Sequence, residues 1–133
     1  MVISDKAAEV LRKVRRIYKE LLQLREDLKE QNVVALHSPS LDGMPRSGGY
    51  EDKMAARVIR IDALKRREED LLHKLSEARM KAYLVCRRIT SVKARMFFEA
   101  YCADLQSVET AHKYSGADDQ TVREYLKRLD EDQ

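Results

Sequence analysis

Apolar residues recur near the start of the chain at alternating steps of three and four: Val10, Val14, Ile17, Leu21, Leu24 and Leu28. That spacing gathers side chains on one face of an α-helix, and Ser4 followed by Asp5 supplies an N-cap and a negative charge at the positive end of the helix dipole. The pattern predicts an amphipathic helix over residues 1–31. Its stripe suits a coiled coil and equally a surface helix laid on its own domain. From Asp52 the periodicity resumes with Met54, Val58, Ile61, Leu64, Leu71, Leu75, Ala78, Ala82 and Val85, with a phase break near Ile61 and Glu68 sitting within the stripe. A second helix over 51–86 would be about 50 Å long. Residues 32–50 hold both prolines and three of the four glycines, so they form a Gly/Pro loop. Extended, it reaches about 60 Å, which allows a hairpin within one chain or a coiled coil between chains.

Arg87 to Thr90 interrupts the phase. Thr90 is placed to cap a third helix whose buried face is Val92, Met96, Phe97, Ala100 and Tyr101, ending over Asp104 to Gln106. Ser107 caps a fourth, short helix that runs to Ser115 with Ala111 inward. Gly116 follows where a helix C-terminus favours a left-handed residue. Asp118 then caps a fifth helix with Val122, Tyr125, Leu126 and Leu129 on one face. Two short helices separated by a tight Gly-containing turn fit a helix-turn-helix. The expected fold is therefore all-α: a long two-helix hairpin or coiled coil, plus a C-terminal three-helix head with a helix-turn-helix over 87–133.

Charge changes the picture at the C-terminal end. The chain carries net charge +3, yet residues 105–133 hold four basic and seven acidic side chains. A strongly basic nucleic-acid-binding tail is excluded, and any phosphate-binding surface must draw on cations further upstream. Charged residues make up 37% of the chain and tryptophan is absent, which suits long solvated helices rather than one large core. Acid-before-base pairs at i,i+4, such as Asp62/Arg66 and Glu77/Lys81, belong to solvated faces. Glu68 in the stripe either sets register or is a helix-edge carboxylate reaching solvent.

Chemistry-bearing clusters are not evident. Cys86 and Cys102 stand on separate helices without a second ligand at metal spacing and read as reduced, half-buried thiols. His37, His73 and His112 are scattered, with His112 placed as a partly buried residue between the last two helices. The glycines from Gly43 to Gly49 lack the preceding strand and following Gly-Lys-Ser/Thr of a phosphate loop. No metal, no cofactor and no enzymatic activity are expected. The longest apolar run, Ala82 to Cys86, is far too short to span a bilayer, so cytoplasmic residence, without a membrane partner, is expected.

The stretch Ser40-Leu41-Asp42-Gly43-Met44-Pro45-Arg46-Ser47-Gly48-Gly49, with Asp52-Lys53 after it, resembles the Gly-Met-Pro-Arg loop of small phage proteins known as ArpU-like or RinA-like transcription regulators. Ser107, Glu109, Gly116, Thr121 and Val122 are similar to that family's C-terminal helix-turn-helix, itself similar to region four of sigma factors. The likeness spans roughly residues 38–129. It departs where the family has an apolar residue then Ala in the first helix of the motif, and Ser with basic residues opening the second; here stand Ala111, His112, Asp118 and Asp119.

The resemblance implies a phage-type regulator of late genes in a bacterial host, bound to double-stranded DNA. The fifth helix would then present Gln120, Arg123, Glu124 and Lys127 to the major groove, and Arg87, Arg88, Lys93 and Arg95 to phosphates. The long helices, with the seam Val10, Val14, Ile17, Leu21, Leu24, Leu28, Ile61, Leu64, Leu71 and Leu75, would make a homo-oligomer or contact RNA polymerase or another protein. Without the resemblance, Arg123, Lys127 and Arg128 read as an ordinary solvated face. The alternative function is a coiled-coil interaction or assembly adaptor whose acidic helical head binds protein.

Overall fold

The computed structural model describes residues 3–36 and 48–130. Five α-helices follow one another: α1 (Asp5–Leu36), α2 (Gly48–Arg87), α3 (Val92–Phe98), α4 (Val108–Ser115) and α5 (Asp119–Arg128). No strand occurs among the described residues. Both long helices run further than the turn-forming residues suggest, since α1 continues to Leu36 and α2 begins at Gly48. The Gly43-Met44-Pro45-Arg46 stretch and His37 lie outside the described residues.

The chain forms two compact units, Met1–Tyr18 with His73–Gln133, and Lys19–Leu72. Both long helices contribute to each. In the second unit the later part of α1 faces the early part of α2 within the same chain, through Arg25–Glu68 at 3.2 Å and Arg67–Glu20 at 3.9 Å. Leu21, Leu24, Leu28 and Leu71 are buried there. Ile61 and Leu64 are half-buried, as expected where only two helices cover each other.

The phase break near Ile61 is absent. Protected positions on α2 run Met54, Arg57, Ile61, Leu64, Glu68, Leu71, Leu75, Ala78 and Ala82, at steps of three and four throughout. Val58 points outward, 52% exposed. Arg57 holds the seam position because its aliphatic stem can lie on the apolar stripe while the guanidinium reaches water. Glu68 is accommodated in the seam by accepting from Arg25 Nε.

In the first unit α1 buries two faces rather than one. Ile3, Val14 and Ile17 belong to the seam, with Val10 half-buried, but Ala8 and Leu11 are also completely buried. The second face exists because the C-terminal helices pack against it: Arg12 donates to the Arg128 carbonyl at 2.9 and 3.2 Å, and Arg15 donates to the Tyr101 hydroxyl at 3.0 Å. The Arg15 guanidinium also lies 4.1 Å from the Tyr101 ring centroid, a cation–π contact.

The helix at the centre of this unit is α3. Ser91, not Thr90, is its N-cap and accepts from Ala94 N. It runs directly into a π-helical turn, Glu99–Ala103, closed by Asp104 N donating to Glu99 O at 2.8 Å. A π turn advances fewer degrees per residue than an α-helix, so neighbouring side chains drift onto one broad face. Phe97 and Phe98 are fully buried and all four residues from Ala100 to Ala103 are buried. Val92, expected inside, is exposed because it precedes the packed stretch. Phe97 stacks with Tyr101 at 5.6 Å between centroids, and Tyr125 of α5 stands 5.2 Å from Phe97 and 5.1 Å from Phe98.

Leu11→Ala should cost about 2–5 kcal/mol, whereas Val58→Ala should stay within about 0.5 kcal/mol; urea melts of the two variants check this. Cys86 and Cys102 are both fully buried rather than half-buried. Burial, then the charges of Glu99 and Asp104, push the Cys86 thiol up to about 12. A thiol reagent at neutral pH should therefore leave Cys86 unlabelled in the native protein and modify it in denaturant, as mass spectrometry would show.

Candidate functional site

The site suggested by the sequence centres on α4, α5 and the turn between them. α4 starts at Ser107, whose hydroxyl accepts from Thr110 N at 3.1 Å. It ends at Gly116, which has φ +69° and donates its N–H to His112 O at 3.1 Å. A residue other than glycine would be strained in that left-handed conformation. Ser115, the one polar side chain among the buried residues described, donates to His112 O at 3.0 Å and accepts from Ala117 N at 3.2 Å. The turn is thereby pinned from within.

Asp118 opens α5. Its Oδ1 accepts from Thr121 N at 2.8 Å. Hydrogen bonds from the Thr121 side chain and backbone, with lesser contributions from the Lys93 and His112 charges, hold the Asp118 carboxyl below its usual range. Val122, Tyr125, Leu126 and Leu129 turn inward, as the spacing predicts. Gln120, Arg123, Glu124 and Lys127 are all exposed and, at i, i+3, i+4 and i+7, occupy an arc of about 100°. The outer face of α5 is thus a single stripe. It carries two cations, one carboxylate and one amide, with exposed Asp119 beside it.

The four upstream cations differ in their surroundings. Lys93, in the first turn of α3, is close enough to Asp118 to influence its titration. Arg95 is half-buried and Arg87 is exposed at the last turn of α2. Arg88 lines a cleft with Ile3, Ser4 and Lys6 at the start of α1, so it borders that helix. The acidic start of α5 has its own neighbours: His112 Nε2 lies 3.5 Å from Asp119 Oδ1. His112 therefore stands at the contact between the last two helices and pairs with one of the carboxylates that depart from the expected basic pattern.

Arg128, grouped by the sequence with Arg123 and Lys127, leaves the solvated stripe. It donates to the Asp5 carboxylate and the Ile3 carbonyl, while Arg12 caps its backbone carbonyl and pairs with Asp130 at 3.2 Å. A guanidinium at the last carbonyls of a helix complements its negative end, so the C-terminus of α5 is held by the start of α1. This role of Arg12 and Arg128 had no sequence signal, because the partners are more than a hundred positions apart.

Among the described residues, no helix is long and apolar enough to cross a membrane, and no group of three or more His, Cys, Asp or Glu could hold a metal ion. No family model matches the chain, no curated protein is significantly similar to it, and no solved structure is significantly similar to its fold.

Asp118→Ala should lower the melting temperature measurably, and Asp118→Asn much less, since asparagine caps comparably. Because the folded-state pKa of Asp118 is depressed, its stabilising contribution is full above the ordinary carboxylate value of 3.8 and fades as pH falls through the lower folded value. Thermal melts of wild type and Asp118→Ala should therefore converge as the pH is lowered below that window.

Proposed function

We propose that this chain is a DNA-binding transcription regulator of the ArpU-like or RinA-like phage type, with α4 and α5 acting as a helix-turn-helix and α5 as the reading helix. The observation that carries the reading is the α5 stripe. Its inner face is committed to the core, and Gln120, Arg123, Glu124 and Lys127 share its outer face. Ending α4 on left-handed Gly116 and starting α5 at Asp118 leaves only a short turn between the helices, as the motif requires. The resemblance over residues 38–129 supports the same reading.

In this mechanism α5 enters the major groove by its N-terminal half. Arg123 donates two N–H groups from one guanidinium edge to guanine O6 and N7, Gln120 pairs with adenine, and Lys127 neutralises a phosphate. Lys93 partly offsets Asp118 beside the groove. Arg87, Arg88 and Arg95 add phosphate contacts only so far as the duplex reaches them. One such head reads few base pairs, so two copies on paired half-sites are needed for useful affinity.

A second reading, an interaction or assembly adaptor, is favoured by apolar side chains on the outside of α2. Ile59 is 68% and Met80 67% exposed, and the acidic head would serve as a protein-binding module.

Gel shifts on prophage promoter fragments at several salt concentrations separate the two. The regulator should shift at least one fragment, with affinity falling linearly in log salt. Arg123→Ala should weaken binding by about 1–3 kcal/mol while sedimentation shows an unchanged oligomeric state. No shift on any fragment, or unaltered affinity in Arg123→Ala with Lys127→Ala, overturns the regulator in favour of the adaptor.

A further inference from the structure

Away from α5, the first unit carries a groove between the start of α1 and the end of α2. Two neighbouring clefts of about 330 and 360 Å³ have Lys6 and Val10 in common in their linings. Their lining places Lys6, Val10 and Lys13 beside Ala78 and Lys81, and Ala7 and Val10 beside Val85 and Ile89. The two helices are therefore antiparallel here. From Ala78 to the end of α2 at Arg87 the groove follows that helix for about 14 Å.

Its floor is apolar: Ala78 and Ile89 are buried, and Ala7, Val10 and Val85 are half-buried. Its rim is basic, with Lys6, Lys13, Lys81 and Arg88 all exposed. The one carboxylate along it, Glu9, is engaged by Arg16 at 2.7 Å and Arg12 at 3.4 Å. Leu84, three residues after Lys81 and four before Arg88, lies on the same side of α2 and is 58% exposed, so apolar surface continues past the rim.

We propose that this groove binds an acidic amphipathic helix of a partner protein, about three turns long, whose apolar side chains fill the furrow while its Asp and Glu residues meet the basic rim. This is helix-in-groove recognition. Charge complementarity sets the sign of the partner, and the apolar floor selects a protein helix over nucleic acid, whose phosphates gain nothing from Ala, Val and Ile. The inference does not rest on DNA reading by α5: Lys6, Lys13 and Lys81 belong to no part of that surface, and Arg88 alone is common to both.

The test is fluorescence anisotropy with the full chain and a labelled helical peptide of about 15 residues, bearing leucines at i, i+3, i+4 and i+7 and glutamates elsewhere. A peptide of the same composition in scrambled order is the control. The ordered peptide should bind at least tenfold tighter than the scrambled one. Lys6→Glu with Lys81→Glu should abolish that preference, while Arg123→Ala leaves it unchanged. If circular dichroism shows the double charge reversal unfolded, Lys13→Gln with Lys81→Gln takes its place, with a several-fold loss expected. Equal binding of both peptides, no binding of either, or indifference to the lysine substitutions overturns the proposal. So does displacement of the peptide by a short DNA duplex that itself depends on Lys6 and Lys81, which would make the rim a phosphate-binding surface.

Discussion

Enclosure of α3 and its π turn is the constraint on which the first unit depends. A helix buried on most of its circumference must satisfy its terminal backbone groups without water, because an orphaned carbonyl in an apolar setting costs on the order of a lost hydrogen bond. Here the end is closed by protein. Gln106 N donates to Ala100 O at 2.9 Å, Arg79 of α2 donates to Ala103 O at 2.5 Å, and Tyr83 meets the Asp104 carboxylate. Leu105 takes a left-handed φ of +58° to let the chain turn back. The aromatic cluster of Phe97, Phe98, Tyr101 and Tyr125 then joins α3 to α5, so the position of α5 follows from how the π turn is packed.

That arrangement gives α1 two roles. Through its seam it pairs with α2, and through Ala8 and Leu11 it forms a wall of the C-terminal core. Arg12 and Arg128 make the second role directional: one guanidinium caps the last carbonyls of α5 and the other reaches back to the N-terminal turn of α1. The outward face of α5 is left to solvent because its ends and its inner face are both occupied. The orientation of that outward stripe is dictated by the rest of the unit.

The two surfaces differ in chemistry. Along α5, cations and carboxylates alternate, Asp119 is paired with His112 and Lys93 acts on Asp118, so its attraction for phosphates is local and depends on Arg123 and Lys127. The α1/α2 groove is lined by Lys6, Lys13, Lys81 and Arg88 at its rim, with Glu9 the one carboxylate along it, and is apolar at its floor. A stripe of mixed polar groups suits reading of hydrogen-bond patterns, and a basic-rimmed furrow suits burial of a helix.

Much of the local structure was legible in the sequence because it is set by short-range physics. Ser4, Ser107 and Asp118 cap helices as their residue types demand, Gly116 adopts the left-handed turn, and Val122, Tyr125, Leu126 and Leu129 face inward at helical spacing. The all-helical class and the two long helices followed from periodicity. What only the tertiary structure decided involves residues distant in the chain. The seam passes through Arg57 and Glu68 in place of Val58 because a salt bridge and a long aliphatic stem serve where hydrophobicity alone would choose valine. Leu11 is core because a second layer packs on α1, the π turn buries four consecutive residues, and Arg128 leaves its stripe for Asp5. Periodicity records which face of a helix is apolar; the number of neighbours that cover the helix is a property of the assembled unit.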